Sequence, residues 1–416
     1  MKALAIESLT GAEDTAKPRL LDALARRIVL RRLQALRQGE LVILDGDQQM
    51  TFGGIGSDQD LRATITVKDP RFYGEIVYGG SIGSGEAWME RYWECDDLVN
   101  LVRLMVRNRD LLDNMEEGLG RLTRPLQRFL HRVNRNTRRG AKRNITKHYD
   151  IGNEFFALWL DESMMYSCAI FEHENATLSE AQLNRLDHIC RRLDLQPDDH
   201  LLEIGTGWGA LAIHAASKYG CRVTTTTISR QQYELAKQRI DEAGLAHRIT
   251  LLLEDYRDLT GKYDKLVSIE MIEAIGSAQY DTYFTKCHEM LIPGGRMLIQ
   301  AITIEDERFE YYRKNVDFIQ RYIFPGSCLP SEQIMRETIN RFSDMSISSV
   351  ESIGLHYATT LNHWRRNFLA KLDQIRLLGY PERFIRMWEY YLCYCEGGFI
   401  ERSIDDVLLV AERQAN

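Results

Sequence analysis

The sequence predicts an α/β fold, in which a doubly wound, mostly parallel sheet follows a smaller N-terminal α+β domain. Three observations indicate this class. A glycine-rich turn separates an apolar run from a helical pattern at 201–220, short apolar runs then alternate with helical patterns, and residues 18–118 mix helix and strand patterns. With 416 residues, the chain is long enough for two or three domains with sizeable cores.

The N-terminal part, residues 1–120, is predicted to be an α+β domain of its own. RLLDALARRIVLRRLQAL has apolar residues at the spacing of an amphipathic helix. LRATITVK alternates as a half-buried strand does, and it follows the turn-rich segment GGIGSDQD. GEAWMERYWECDDLVNLVRLMVRN predicts two helices, the second beginning near Asp96 and Asp97.

A basic connector, residues 121–147, follows this domain with ten Lys or Arg and no Asp or Glu, although the whole chain has a net charge of −7. Such charge runs are commonly solvated or flexible, and they also suit nucleic acid. RPLQRFLHRVNR places apolar residues among its cations at helical spacing, which is typical of a helix on an anionic membrane surface. We favour the membrane over RNA, because the rest of the chain is acidic and no aromatic RNA-binding module is evident.

The α/β part, residues 148–416, opens its sheet with LLEIGTGWGALAIHAASKYG. The run 201–204 predicts a buried strand, Gly205, Gly207 and Gly209 predict a tight turn, and 210–220 predicts a helix. The glycines allow a ligand to approach the backbone, and the helix N-terminus offers free N–H groups. The turn alone is equally consistent with tight packing. The later strands and helices are predicted, in order, at CRVTTTTIS, RQQYELAKQRIDEAG, ITLLLEDY, YDKLVSIEM, YDTYFTKCHEML and GRMLIQAIT.

Several classes of protein are disfavoured by the same sequence. The turn reads G-x-G-x-G, and the second strand ends in Thr227-Ile228-Ser229 without a carboxylate, so a nicotinamide site is not expected. The eight cysteines are scattered without a CxxC pair, which argues against a metal site and a disulfide framework and for a reducing cytoplasm. No apolar run approaches 18 residues, and the first 20 residues lack the apolar core of a signal peptide.

The motif E-I-G-x-G-x-G, the acidic EDY after the third strand and the later P-G-G turn together resemble class I S-adenosylmethionine-dependent methyltransferases. Six further strings resemble the cyclopropane-fatty-acyl-phospholipid synthase family, which includes the mycolic acid methyltransferases. These strings are KHYDIGNEFFALWLDESMMYSCAIF, TISRQQYELAKQR, EDYRDL, SIEMIEAIG, YIFPGSCLPS and YATTLNHWRRNF. The resemblance runs from about Lys68 to Glu412. It implies a seven-stranded methyltransferase sheet with S-adenosylmethionine as the cosubstrate.

The resemblance also implies site residues. Those assigned to the cosubstrate are Tyr166, Ser167, Glu203, Gly205, Gly207, Gly209, Thr227, Ile228, Gln232, Asp255 and Tyr256. Asp255 is expected to accept from the adenine amino group, with Tyr256 against the ring. The family holds a bicarbonate ion beside the sulfonium, and the ligands implied here are Cys168, Glu273, Gln300, Tyr357 and the backbone of Ile302. Cys395 matches a cysteine long treated as the family's active-site residue, although a thiolate nucleophile has no role in this chemistry.

Two positions depart from the usual bacterial pattern, which has His in place of both Gln300 and Ala274. Gln donates to an anion through its amide but cannot share a proton as imidazole does. The expected activity is addition of a methylene group to an unsaturated phospholipid acyl chain, by a cytoplasmic enzyme on the inner face of the membrane. Two alternatives stay open: a fatty-acyl methyltransferase with a methyl-branched or methylene product, and an inactive lipid-binding homologue. Lipid binding by the N-terminal domain and a homodimer are also left open.

Overall fold

The computed structural model describes residues 20–54, 61–110 and 151–415. Within these ranges the chain forms two compact units. The first comprises 20–54, 61–110 and 372–397, and the second comprises 151–371 and 398–415. The basic connector 121–147 lies outside the described residues, so the predicted division at 120 and 147 stays a prediction.

The first unit contains a four-stranded sheet in the order β2-β1-β3-β4. Its N-terminal elements are α1 (Leu20–Leu33), β1 (Glu40–Asp45), β2 (Gln48–Gly53), β3 (Arg62–Val67), α2 (Arg71–Met89), β4 (Trp93–Cys95) and α3 (Leu98–Arg107). β1 pairs parallel with β3, whose alternate residues are buried, as its alternating sequence predicts. The two helices Leu372–Leu377 and Glu382–Ile400 follow much later in the chain, and the second helix ends within the other unit.

Two helices of this unit show how far local sequence determines its structure. The side chain of Asp97 accepts a hydrogen bond from the backbone of Asn100 and caps α3, so the predicted start of that helix is confirmed. The first predicted helix, which begins at Gly85, ends at Met89, because Trp93–Cys95 form β4. α2 itself begins at Arg71 and is kinked at Gly80, where φ is 58° and ψ is −135°, and its glycines hide the helical pattern. One of them, Gly83, packs so closely on the backbone carbonyl of Glu75 that a Cβ would overlap it.

The second unit is built on a seven-stranded sheet in the order β10-β11-β9-β8-β5-β6-β7. Its strands are β5 (His200–Ile204), β6 (Arg222–Thr226), β7 (Ile249–Leu252), β8 (Tyr263–Ile269), β9 (Leu291–Ile304), β10 (Met345–Ser352) and β11 (Ile404–Arg413). β5 to β9 pair in parallel, whereas β11 is antiparallel to both of its neighbours. The predicted mostly parallel, seven-stranded sheet is confirmed.

The helices of this unit alternate with the strands of the sheet. They are α4 (Asn153–Ala157), α5 (Leu178–Arg192), α6 (Ala210–His214), α7 (Arg230–Glu242), α8 (Tyr280–Met290), α9 (Asp306–Tyr312), α10 (Glu332–Phe342) and α11 (Gly354–Ala370). The strand order changes direction at β5, which lies between β6 and β8. Ligands of such sheets bind beyond the carboxyl ends of the strands at this point. The loops after β5 and β8 are therefore expected to form the ligand-binding site.

Candidate active site

The glycine turn directly after β5 has a backbone that side chains would disfavour. Gly205, Gly207 and Gly209 have φ values of 103°, 53° and 92°, a region that glycine adopts readily and other residues rarely do. A Cβ at Gly209 would lie 3.3 Å from the Cβ of Ala236, so this glycine serves packing. A Cβ at Gly207 would have no atom within 4 Å, which leaves space beside the turn.

Hydrogen bonds between side chains tie the turn to its neighbouring strands. The Thr225 hydroxyl donates to a carboxylate oxygen of Glu203 at 2.5 Å and lies 2.6 Å from the hydroxyl of Thr206, inside the turn. Glu203 is 2% exposed, and burial raises its pKa to about 8. Glu203, which we assigned to the cosubstrate, thus supports the turn from within the sheet.

The ends of β6 and β7 carry the other residues assigned to the cosubstrate. The Thr227 hydroxyl donates to the side-chain oxygen of Gln232 at 2.9 Å. Asp255 accepts from two nitrogens of the Arg257 guanidinium, at 2.8 and 2.6 Å. The Tyr256 ring is 8% exposed and packs edge-on against Tyr283 in the core. The adenine contacts of Asp255 and Tyr256, and a contact of the half-buried Ile228, stay predictions.

A buried carboxylate that the sequence analysis missed lies at the end of β8. Glu270 Oε1 accepts from the backbone N–H of Cys168 and from Gln300 Nε2, both at 2.8 Å. Glu270 Oε2 accepts from the Tyr357 hydroxyl at 2.7 Å. The structure therefore brings together three of the predicted bicarbonate ligands, and their donors all point to one protein carboxylate. The position of Glu270 in the sequence could have indicated it, because an acid one residue past a buried strand lies at the ligand-binding edge of the sheet.

Gln300 is completely buried, and its side chain makes hydrogen bonds to three other side chains, the first of which is Glu270. Its side-chain nitrogen also donates to Asp406 Oδ2 at 2.7 Å, and its oxygen accepts from Arg185 Nη1 at 3.1 Å. Arg185 is itself only 2% exposed. Burial, reinforced by the charge of Glu270, raises the pKa of Asp406 well above its usual range, so Asp406 keeps its proton. Burial raises the pKa of Glu270 as well, and the donors from Cys168 and Tyr357 and the cation of Arg185 oppose that rise.

Glu273 and Ile302 form a second contact beside this cluster. The backbone N–H of Ile302 donates to Glu273 Oε1 at 2.5 Å. Burial, followed by the charge of Glu270, raises the pKa of Glu273 to about 8. Glu273 Oε2 is buried without a hydrogen-bond partner among the described residues.

The two predicted cysteines differ in their positions. Cys168 is fully buried, and its thiol contacts the backbone carbonyl of Ala169 at 3.2 Å. Burial raises its pKa, so the side chain stays a thiol and only its backbone N–H reaches Glu270. Cys395 belongs to the first compact unit rather than to the unit that holds this cluster, and its predicted role stays a prediction.

The segment before Cys168 contributes an aromatic cluster and a backbone anchor. The Tyr166 ring packs against four aromatic neighbours with ring centroids 5.3 to 6.3 Å away: Phe156, Trp159, Phe324 and Trp364. The backbone carbonyl of Ser167 accepts from Gln182 Nε2 at 2.9 Å. These contacts fix the segment near the cluster, and closure of Tyr166 and Ser167 over a cosubstrate stays a prediction.

Two features are absent from the described residues. No group of three or more His, Cys, Asp or Glu side chains within these ranges is arranged to hold a metal ion. In the same part of the chain, no helix has the length and apolar character needed to cross a membrane.

Comparisons with known proteins agree on one family. The model of the mycolic acid cyclopropane synthetase family matches residues 136–408. The chain is 39% identical over 333 residues to the tuberculostearic acid methyltransferase of Mycobacterium tuberculosis, which covers 78% of this chain and 77% of that protein. It is 36% identical over 362 residues to the cyclopropane-fatty-acyl-phospholipid synthase of Escherichia coli K12, which covers 86% and 90%.

A solved structure extends this likeness to three dimensions. The crystal structure of a mycolic acid cyclopropane synthase complexed with SAH and CTAB has a TM-score of 0.62 and 31% identity, and it covers 65% of this chain and 98% of that chain. The region that matches the family model contains both the glycine turn and the Glu270 cluster. The chain is therefore an S-adenosylmethionine-dependent methyltransferase, and it belongs to the mycolic acid cyclopropane synthetase family.

Proposed function

We propose that this enzyme adds a methylene group from S-adenosylmethionine across the cis double bond of an unsaturated acyl chain in a membrane phospholipid, closing a cyclopropane ring. The observation that carries the proposal is the buried Glu270 carboxylate, which three donors hold at the carboxyl edge of the sheet. Ring closure requires an anion in such a place to take a proton. The name of the Escherichia coli relative supports the phospholipid substrate.

The reaction proposed for this enzyme explains why the site is buried and why aromatic rings lie near it. An isolated alkene is a weak nucleophile, whereas the methyl group of a sulfonium is a strong electrophile. Transfer of the methyl group leaves a carbocation in the acyl chain, which must be kept from water. The aromatic cluster around Tyr166 offers ring faces that attract a cation. A proton must then leave the added methyl group, so that the electron pair of its C–H bond closes the ring.

Bicarbonate, the base that the resemblance implies, does not fit this arrangement beside Glu270. The donors of Cys168, Gln300 and Tyr357, which would hold the ion, already donate to the protein carboxylate at 2.7–2.8 Å. Glu273 would be the acceptor for the hydroxyl of the ion, but its raised pKa favours a protonated acid near neutral pH. Bicarbonate stays a prediction of the resemblance.

The proposal includes a cytoplasmic enzyme bound peripherally at the inner face of the membrane. Support comes from the sequence of the basic connector, which has ten cations in all and places four of them among apolar residues in RPLQRFLHRVNR. Each cation near an anionic lipid surface contributes about 1 kcal/mol to binding. Nucleic acid is not a proposed partner, because the rest of the chain is acidic.

The second candidate function is transfer that ends in a methyl-branched or methylene acyl chain. The name of the Mycobacterium tuberculosis relative, a tuberculostearic acid methyltransferase at 39% identity, favours it. A methyl-branched product needs a hydride from an external reductant, whereas ring closure needs only a base. A base at Glu270 therefore disfavours the methyl-branched product. A methylene product also needs only a base, and the name of the Escherichia coli relative favours the cyclopropane over it.

Expression of the full chain in a bacterial host that lacks such enzymes tests the proposal. We expect the fatty acid methyl esters of that host to gain a cyclopropane acid at the expense of an unsaturated acid. Cyclopropane and methylene products have the same mass, so NMR must identify the cyclopropane protons, while a methyl-branched product is heavier by two hydrogens. Loss of unsaturated acids without cyclopropane protons would contradict the proposal and favour the second candidate.

A further inference from the structure

Glu270 has a backbone conformation that a carboxylate-bearing residue rarely adopts. Its φ is 46°, in the left-handed region that glycine occupies without penalty. Strained positions of this kind persist where the surrounding structure enforces them, and they cluster at functional sites. Glycine would relieve the strain, so the carboxylate is the reason for this residue at this position.

The contacts of Glu270 fix both of its oxygens. Oε1 has two donors and Oε2 has one, and these come from three separate parts of the chain: Cys168, Gln300 and Tyr357. The Gln300 amide cannot rotate, because its oxygen accepts from Arg185 while its nitrogen donates to two carboxyl groups. The three donors therefore hold the Glu270 carboxylate in one orientation.

The position of Glu270 also suits the reaction. β8 pairs directly with β5, so the segment after Ile269 lies beside the glycine turn. A Cβ at Gly205 would lie 3.6 Å from the Cβ of Met271, the residue next to Glu270. The anion and the turn assigned to the cosubstrate are therefore neighbours on the same edge of the sheet.

We propose that the Glu270 carboxylate takes the place of bicarbonate in this enzyme and is its built-in general base. The proposal rests on the proposed function. After methyl transfer, a Glu270 oxygen takes one proton from the added methyl group, and the electron pair of that C–H bond forms the second ring bond to the cationic carbon. The carboxyl group is then neutral, and it returns the proton to solvent as the product leaves. The donors engage lone pairs on both oxygens, which limits their attack on the carbocation.

The first test measures ion binding and is independent of turnover. The full chain with bound S-adenosylhomocysteine is titrated with ¹³C-bicarbonate, and binding is followed by NMR. We expect no saturable site in the parent and a saturable site in Glu270→Gly, because the missing carboxylate opens the space that the three donors face. Glycine also suits the φ of this position, so the variant should fold. Saturable binding by the parent that is equal to that of Glu270→Gly would overturn the proposal.

The second test uses phospholipid vesicles in buffer freed of carbon dioxide. The parent should form product at the same rate with and without added bicarbonate. Glu270→Gln and Glu270→Gly should lose roughly 10²- to 10⁴-fold in rate, the usual contribution of a general base. Bicarbonate or formate should restore activity to Glu270→Gly but not to Glu270→Gln, whose amide still fills the space. Glu234→Gln, at a side chain that is 64% exposed on α7, is the matched control and should retain the parent's rate.

Failure of this inference and failure of the proposed function give different results. A parent that needs bicarbonate to form a cyclopropane would overturn the role of Glu270 and leave the proposed function intact. A parent that forms a methyl-branched product would overturn the proposed function. In that case the ¹³C titration would still decide whether Glu270 occupies the place of the ion.

Discussion

The end of β5 and the end of β8 are neighbours in one sheet, yet they form their parts of the site in opposite ways. After β5 the turn has glycines with positive φ at the alternate positions 205, 207 and 209, and it leaves space beside the backbone. At β8 the chain fills the space with the Glu270 side chain and surrounds it with donors. The first region is made by one short segment, and the second is assembled from distant ones.

Because the two regions are built differently, we expect the turn to affect cosubstrate binding and the Glu270 cluster to affect the reaction. The turn leaves space beside a backbone that does not titrate, so its contact with a cosubstrate should be insensitive to pH. The Glu270 cluster holds several titratable groups in a dry place, where burial shifts their pKa values. We therefore expect changes at the turn to abolish binding, and changes in the cluster to slow the reaction while binding persists.

The largest effect is expected at the turn, from Gly207→Val. The new side chain would occupy the open space beside Gly207, and calorimetry should detect no binding of S-adenosylmethionine. Valine at a positive φ also costs roughly 1–2 kcal/mol of backbone strain. Gly244→Val is the matched control, because Gly244 has a φ of 69° and open space but lies in the loop after α7. Equal binding by parent and Gly207→Val would remove the turn from the cosubstrate site.

An intermediate effect is expected in the cluster, from Tyr357→Phe. The change removes the hydroxyl that donates to Glu270, and a hydrogen bond to a charged group is worth about 1.5–3 kcal/mol. We expect kcat to fall roughly 10- to 150-fold while the affinity for S-adenosylmethionine is unchanged. Tyr219→Phe, which removes a hydroxyl that contacts Asp187 instead, should behave as the parent. A fall in affinity with an unchanged kcat would show that the two regions are not separate.

The smallest effect on binding and catalysis is expected from Glu203→Gln, whose main consequence is a pH-dependent change in stability. The pKa of Glu203 is raised to about 8 in the folded chain, above the ordinary value it takes in the unfolded chain. The proton is therefore bound more tightly in the folded chain, and stability is lost as the pH rises from about 4.5 to about 8. Each unit of pH costs at most about 1.4 kcal/mol of unfolding free energy. Denaturant unfolding should show this loss in the parent and a flatter profile in Glu203→Gln, and parallel profiles would contradict the raised pKa.

The sequence predicted the turn and its sheet because their signals are local. The apolar run 201–204, the glycines and the following helical pattern are contiguous, and the later strands and helices were found in the same way. β10 and β11 were not predicted. The paired acids Asp405 and Asp406 in β11 suggest a polar turn, whereas Asp406 is completely buried beside Gln300.

The Glu270 cluster was predicted only in part. The resemblance identified Cys168, Gln300 and Tyr357, but not the carboxylate to which they donate. Glu270 lies 102 residues from Cys168 and 87 from Tyr357, so no local pattern joins them. Arg185 was missed for the same reason, since a buried cation on α5 has the sequence pattern of a solvated helix face.

The most direct test of the account follows the proton that the Glu270 cluster is proposed to remove. The enzyme is supplied with S-adenosylmethionine whose transferred methyl group carries three deuterium atoms, together with vesicles of an unsaturated phospholipid. Ring closure by a base predicts a cyclopropane fatty acid that retains two of the three deuterium atoms, as measured by mass spectrometry and NMR. A product that retains all three, in a methyl branch, would contradict the account, because no proton would then have left the transferred group.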